Sequence, residues 1–236
     1  MVDAASIVNE LWFLPVMFAV VVSIVYFFSN KLKIKNKNAK NKIVSFSAGV
    51  SITYLLLEFF PRFTEGALQV HRLLFLSVLF GFTIHHLIEK EIYIHHHKHG
   101  LIKMLSLEEN MFSYIYHIVV GGVFVYLTRT SIVEGFLYFI TIVSYTFVST
   151  LPTKPHQSVM KSLTLASSTI IGAVLMTIAY DYVPLWVHIF LMGLAIGVLI
   201  FTVTRHHIPF GRHGRADYFT LGLILYSALI MASWFV

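Results

Sequence analysis

Thirteen histidines and no cysteine define the chemistry that this 236-residue chain can attempt. Neutral imidazole is a ligand for zinc, copper, nickel and iron, whereas disulfides and thiolate ligation are excluded. Ten of the histidines fall in or beside the polar segments that separate apolar runs. Four of these form His95-His96-His97-Lys98-His99, which reads as a flexible metal-capturing loop. His206-His207 forms a second pair. Two other residues interrupt apolar runs. His117, in Tyr116-His117-Ile118-Val119-Val120-Gly121-Gly122, is the best candidate for a buried polar group. It reads either as a metal ligand or as a histidine hydrogen-bonded across a helix interface. Glu58, in Leu56-Leu57-Glu58-Phe59-Phe60-Pro61, sits inside an apolar run, where a carboxylate is costly and usually functional. The candidate metal-ligating set is therefore His117, Glu58, His95, His96, His97, His99, His206 and His207. No nucleophile motif, phosphate-binding loop or dinucleotide fingerprint accompanies them, so an enzyme is not expected.

The elements that must position these residues are apolar helices. The chain is 57% hydrophobic and 12% charged, about half the charge of a soluble domain. Apolar stretches long enough to cross a bilayer, about 17–25 residues, recur at about 11–28, 43–60, 71–88, 111–127, 132–151, 160–179, 184–204 and 218–236. The expectation is an all-α integral membrane protein: eight transmembrane helices in a single polytopic domain over 1–236. The lipid bilayer is its partner. The net charge of +6 is explained by its distribution and is no nucleic-acid signal. With eight spans, the loops on one side hold fourteen of the seventeen Lys and Arg residues, and the opposite loops hold Arg62, Arg72 and Arg129. Cytoplasmic loops carry this excess, which places both termini outside the cytoplasm. The beginning of the chain, with Asp3 and Glu10 and no basic region, does not read as a cleaved signal peptide.

Two similar stretches, Ala48-Gly49-Val50-Ser51-Ile52 and Ile196-Gly197-Val198-Leu199-Ile200, lie 148 residues apart, and so do Pro61 and Pro209. This offset maps spans 1–3 onto spans 6–8. Five spans is an odd shift, so the copies have opposite orientations: an inverted 3+2+3 arrangement. Small residues at helical spacing mark the packing faces. They are Ser45, Ala48, Gly49 and Ile52 in span 2, Gly193-x-x-x-Gly197 in span 7, and Ser168-x-x-x-Gly172 with Thr169-x-x-x-Ala173 in span 6. Ser131-Ile132-Val133-Glu134 is a capping-box pattern that makes Glu134 a helix-start residue. His188, near the start of span 7, reads as interfacial.

Phe46-Ser47-Ala48-Gly49-Val50 followed by Glu58-Phe59-Phe60-Pro61 resembles span 2 of the Zrt/Irt-like (ZIP) metal transporters, where Ala-Gly-Val precedes His-Leu-Leu-Pro-Glu. His86-Leu87-Ile88-Glu89-Lys90 is similar to the family's Leu-Glu-Lys ending of span 3, and Lys161–Val174 fits span 6. The resemblance implies a ZIP-like fold with metal bound between spans 4 and 5. There the family carries His-Asn-x-x-Asp and His-Glu-x-x-His-Glu. Here span 4 keeps His117 but has Ile118 and Gly121 at the other two positions. The aligned run in span 5 is Thr141-Ile142-Val143-Ser144-Tyr145-Thr146, without carboxylate or histidine. A dehydrated divalent cation needs several charged or imidazole ligands, and His117 with four hydroxyls is a poor substitute.

Three readings stay open. One is a divergent ZIP-like transporter of divalent cations, zinc or iron, with spans 1, 4, 5 and 6 moving against spans 2, 3, 7 and 8. The second is a ZIP-fold membrane protein that has lost the metal site and acts as a regulator or interaction subunit, or carries another substrate. The third is a membrane enzyme with a histidine-bound metal. No resident cofactor is expected; a divalent metal would be substrate, and a second copy of the chain is a further partner left open.

Overall fold

The computed structural model describes residues 12–32, 34, 36–95, 98–151, 159–207 and 214–235. Along 98–110, and at residues 85, 89, 92, 93, 95, 159, 161, 206 and 207, it describes the backbone alone. Every regular element among these residues is helical. They are α1 (Leu14–Ser29), α2 (Lys37–Val70), α3 (Phe75–His95), α4 (Lys98–Thr130), α5 (Ile132–Ser149), α6 (Val159–Ala179), α7 (Leu185–Thr202) and α8 (Ala216–Ser233). Among the described residues, six helices are long and apolar enough to cross a membrane: α2, α5 and α8, with the Met111–Thr130 part of α4, Ser162–Tyr182 around α6, and Leu185–Arg205 around α7. The stretches expected to span at 11–28 and 71–88 form shorter apolar helices, Leu14–Ser29 and Arg72–Ile88. This is the composition of a multi-pass membrane protein in a lipid environment.

Two boundaries differ from the sequence reading. The segment between the expected spans at 11–28 and 43–60 is already helical from Lys37, because Asn36 caps it by accepting from the backbone N–H of Asn38 and Ala39. The histidine run expected as a flexible loop is split. His95 closes α3, Lys98 and His99 open α4, and His96 and His97 lie outside the described residues. Nothing between Leu101 and Tyr116 stops a helix: the stretch has no glycine or proline and holds three Leu, two Met and two Glu.

Helix α2 is one rod with a π-helical turn at Leu55–Phe59. In that turn the Phe60 N–H bonds to the Leu55 carbonyl, one residue farther back than in an α-helix. The wider turn sits just before Pro61, whose ring would otherwise press on the preceding turn. A second π turn, Val203–His207, extends α7 and stands 148 residues from the first.

Helix α4 is central. Every residue from Gly121 to Thr128 is buried, and α4 touches α1, α5, α6 and α7. The closest pairings are α4 with α6, α2 with α8, and α3 with α7. Each is set by glycines where no Cβ would fit. A Cβ at Gly121 would strike the Thr169 carbonyl, and one at Gly172 the Ile118 carbonyl. At Gly49 it would strike the backbone of Phe219 and Leu223, and at Gly222 the Phe46 carbonyl. At Gly197 it would strike Val78 and Phe82, and at Gly81 Leu194. The small faces read from spans 2, 6 and 7 are thus the packing faces. Gly122 is different: a Cβ there would meet only the Met176 methyl, at 3.4 Å, and more distant side-chain atoms.

Substitutions should separate these sites by sign. Gly49→Ala and Gly197→Ala each push a neighbouring backbone away and should cost about 1–3 kcal/mol. Gly122→Ala removes a helix-breaking residue, gains up to about 1 kcal/mol and should leave stability equal or raised. Thermal unfolding in detergent reads both; a destabilised Gly122→Ala with an unaffected Gly49→Ala would contradict the packing.

Candidate functional site

His117 is 2% exposed. Its Nδ1 lies 3.2 Å from the Thr169 hydroxyl on α6. Tyr26 of α1 and the adjacent Tyr116 stand edge-on to its ring, with centroids at 5.3 and 5.5 Å. The imidazole therefore faces α1 and α6, in the geometry of a hydrogen bond across a helix interface. Tyr116 takes the side toward α5, 5.8 Å from the Tyr145 ring.

The hydroxyls of α5 go elsewhere. Thr141 lies 3.0 Å from the Tyr226 hydroxyl of α8, and both reach the Leu137 carbonyl, at 3.1 and 2.5 Å. Ser144 donates to the Ser47 hydroxyl at 3.1 Å, while Ser47 donates to the Ser144 carbonyl at 2.9 Å. The structure does not join His117 with these side chains. It joins α5 to α2.

That α2–α5 seam carries polar groups along its length, around an aromatic cluster. The two helices run antiparallel, Ser47 meeting Ser144 and the Tyr54 ring lying 5.9 Å from Tyr138. The same register sets Ser51 opposite Thr141 and Glu58 opposite Glu134. Phe59, Phe124 and Tyr226 pack around the tyrosines. Three hydroxyls on these two helices, those of Ser51, Tyr138 and Thr146, are fully buried with no hydrogen-bond partner.

One end of the seam is ionic. Ser131 caps α5 by accepting from the Glu134 N–H at 3.4 Å, as the capping box predicted. The Glu134 carboxylate turns toward α2 and meets Arg62 at 3.2 Å, the two side chains 18% and 30% exposed. This contact is Coulombic, because the Arg62 Nε–H is not aimed along it. Arg62 also pairs with Glu65 at 3.6 Å. Glu58, in the π turn, is half-buried, repelled by Glu65 and attracted by Arg62; the Trp234 indole approaches it at 3.5 Å. His188 is buried against Tyr126, 5.1 Å away and nearly parallel, and Tyr180, at 5.0 Å.

Of the candidate ligands, His117 and Glu58 stand on different helices with separate partners. His96 and His97 lie outside the described residues, and the side chains of His95, His99, His206 and His207 do too. Among the described residues, no three His, Asp or Glu side chains converge as a metal site would require. The groove between α4, α6 and α7, bordered by Ile118, Gly122, Met176 and Leu191, is apolar and offers no group for chemistry.

The sequence reading did not find the seam, although its signal was present. Ser47, Ser51, Tyr54 and Glu58 repeat at i, i+4, i+7 and i+11, and Glu134, Tyr138, Thr141 and Ser144 follow at i, i+4, i+7 and i+10. Each set is one helical face.

Glu134→Gln strips the counter-charge from a half-buried guanidinium. It should cost more than an exposed pair, about 0–1 kcal/mol, and less than a buried one, about 3–5 kcal/mol. In a double-mutant cycle with Arg62→Gln, followed by thermal unfolding, the two losses should not add; strict additivity would deny the pair. Among known proteins, no family model matches this chain, and no curated protein matches it significantly.

Proposed function

We propose that this chain is a membrane transporter of ZIP-like architecture, made of two inverted halves, whose substrate is not held by the family's paired metal sites. The observation that carries the reading is the register of the glycine contacts. Gly49 on Phe219 and Leu223 corresponds to Gly197 on Val78 and Phe82; Gly222 on Phe46 corresponds to Gly81 on Leu194. Residues of α2 map onto α7 at an offset of 148, and residues of α3 onto α8 at 141, in all four cases. The two π turns obey the same 148-residue offset. Several helix pairings survive the exchange of α1 with α6, α2 with α7, α3 with α8 and α4 with α5: α2–α8 becomes α7–α3, and α2–α5 becomes α7–α4, whereas α1–α4 has no such counterpart among the described residues.

Eight crossings with both termini outside fit this exchange and the lysine and arginine distribution. The pairings also divide the helices as alternating access requires. Helices α1, α4, α5 and α6 pack mainly among themselves, while α2 with α8 and α3 with α7 form a second set. Substrate sites in inverted-repeat transporters lie where such sets meet. Divalent-cation transport, the activity implied by the resemblance, would rest on His117 among the mid-membrane residues of α4 and α5, since Thr141, Ser144 and Thr146 offer hydroxyls alone.

Two measurements test the reading. The chain has no cysteine, so Asn38→Cys provides one thiol, expected to react only from the cytoplasmic side; labelling from outside would reverse the topology. Uptake of Zn, Fe, Mn, Co and Cd into proteoliposomes separates the substrates. Folded protein should take up none. Saturable uptake that His117→Ala abolishes would instead establish a metal transporter with a substitute site.

A further inference from the structure

We infer that the α2–α5 seam is the passage of a small uncharged solute that carries hydrogen-bonding groups. The inference rests on the transporter reading and names its substrate class.

Most hydroxyls in the described helices are satisfied within their own helix. Thr53 donates to the Gly49 carbonyl, Thr177 to Ala173 and Thr202 to Val198, each one turn back. Among the described residues five buried hydroxyls have no partner: Ser51 on α2, Tyr138 and Thr146 on α5, Ser23 on α1 and Thr128 on α4; the three on α2 and α5 have no access to solvent. A buried hydroxyl without a partner costs about 1–3 kcal/mol, and in hydrocarbon no solvent is at hand to relieve it. Such groups mark a place where a ligand or water completes the bonding. Three of the five fall on α2 and α5, a pair that joins the proposed moving set to the proposed fixed set, as α4 with α7 also does.

Their placement describes a route. Ser47 and Glu58 are eleven residues apart on α2, a rise of about 16 Å, or roughly half the hydrocarbon core. Between the Ser47–Ser144 level and the Tyr54–Tyr138 level, the facing side chains are Ser51 and Thr141, with Tyr226 alongside. None of them ionises at neutral pH. An ion crossing here would lose its hydration against neutral groups alone. An uncharged solute needs no counter-charge, and hydroxyls both donate and accept, so each bond can be handed to the next group along the seam. Formal charge returns at the mouth where Arg62 bridges Glu134 and Glu65 over the tyrosines. That contact links α2 to α5, and the seam cannot open there until it parts.

The experiment uses full-length protein in proteoliposomes with glycerol and urea as probes, read by stopped-flow light scattering. The parent chain should pass at least one of them ten-fold faster than protein-free vesicles. Tyr138→Phe and Ser51→Ala keep the packing and should each change that rate at least three-fold. A Ser51→Cys variant carries the chain's one thiol and reports whether the seam opens to a small membrane-impermeant thiol reagent; modification of that thiol should block solute flux. If the introduced thiol reacts and zinc enters while neither probe crosses, the substrate class is wrong and the transporter reading stands. If the thiol stays shielded from both sides and nothing crosses, both fall. Probe flux unchanged in Tyr138→Phe and in Ser51→Ala also overturns the inference.

Discussion

Backbone-to-backbone contact at glycines is the interaction on which the rest of this molecule depends. In a bilayer the hydrophobic effect does not drive one apolar helix onto another; close van der Waals packing does. Glycine allows two helices to touch along their main chains. Here the pairs α2–α8, α3–α7 and α4–α6 are all locked that way. The lock is specific as well as tight, because a one-turn slip along either helix would set a side chain against a carbonyl. With these three pairs placed, α1 and α5 have only the remaining faces to fill.

A second constraint is hydrogen bonding without water. Most hydroxyls in the helices meet it with a carbonyl of the preceding turn, and His117 meets it through Thr169 across to α6. The α2–α5 interface meets it incompletely. Its Ser47–Ser144 level and its Thr141–Tyr226 contact are well bonded, whereas Ser51 and Tyr138 are not. An interface that leaves buried polar groups unsatisfied separates at lower cost than one that satisfies them all. It is also one of the interfaces that join the two helix sets.

The sequence revealed much of the architecture because lipid simplifies the code. Apolar runs must be helices, and Gly49, Gly172, Gly193 and Gly197 could be read as contact faces from spacing alone. Helix starts were less legible. Asn36 begins α2 inside a lysine-rich segment because a cap depends on one side chain, not on hydropathy. The candidate site was read through the ionisable residues inside apolar runs, His117 and Glu58. Serine, threonine and tyrosine are common in apolar helices and usually bond within their own helix. Only the pairing of α2 with α5 distinguishes Ser51 and Tyr138 from Thr53 or Thr177, and pairing is a tertiary fact. The ion pair of Arg62 with Glu134 was hidden for the same reason: each residue had an adequate local explanation.

The π turn at Leu55–Phe59 gives α2 one residue more than its α-helical length needs. Such slack can migrate. Moving the wide turn one position along the rod carries a residue from one side of it to the other and rotates that residue by about 100°, with the hydrogen-bond ladder closing again behind it. The helix can thereby re-aim Glu58 or Tyr54 without bending, breaking or sliding past α8. The matching turn at Val203–His207 gives α7 the same freedom. A rod pinned at Gly49 by its neighbour's backbone can still turn its far half, much as a shaft with a coupling transmits position at one end and orientation at the other.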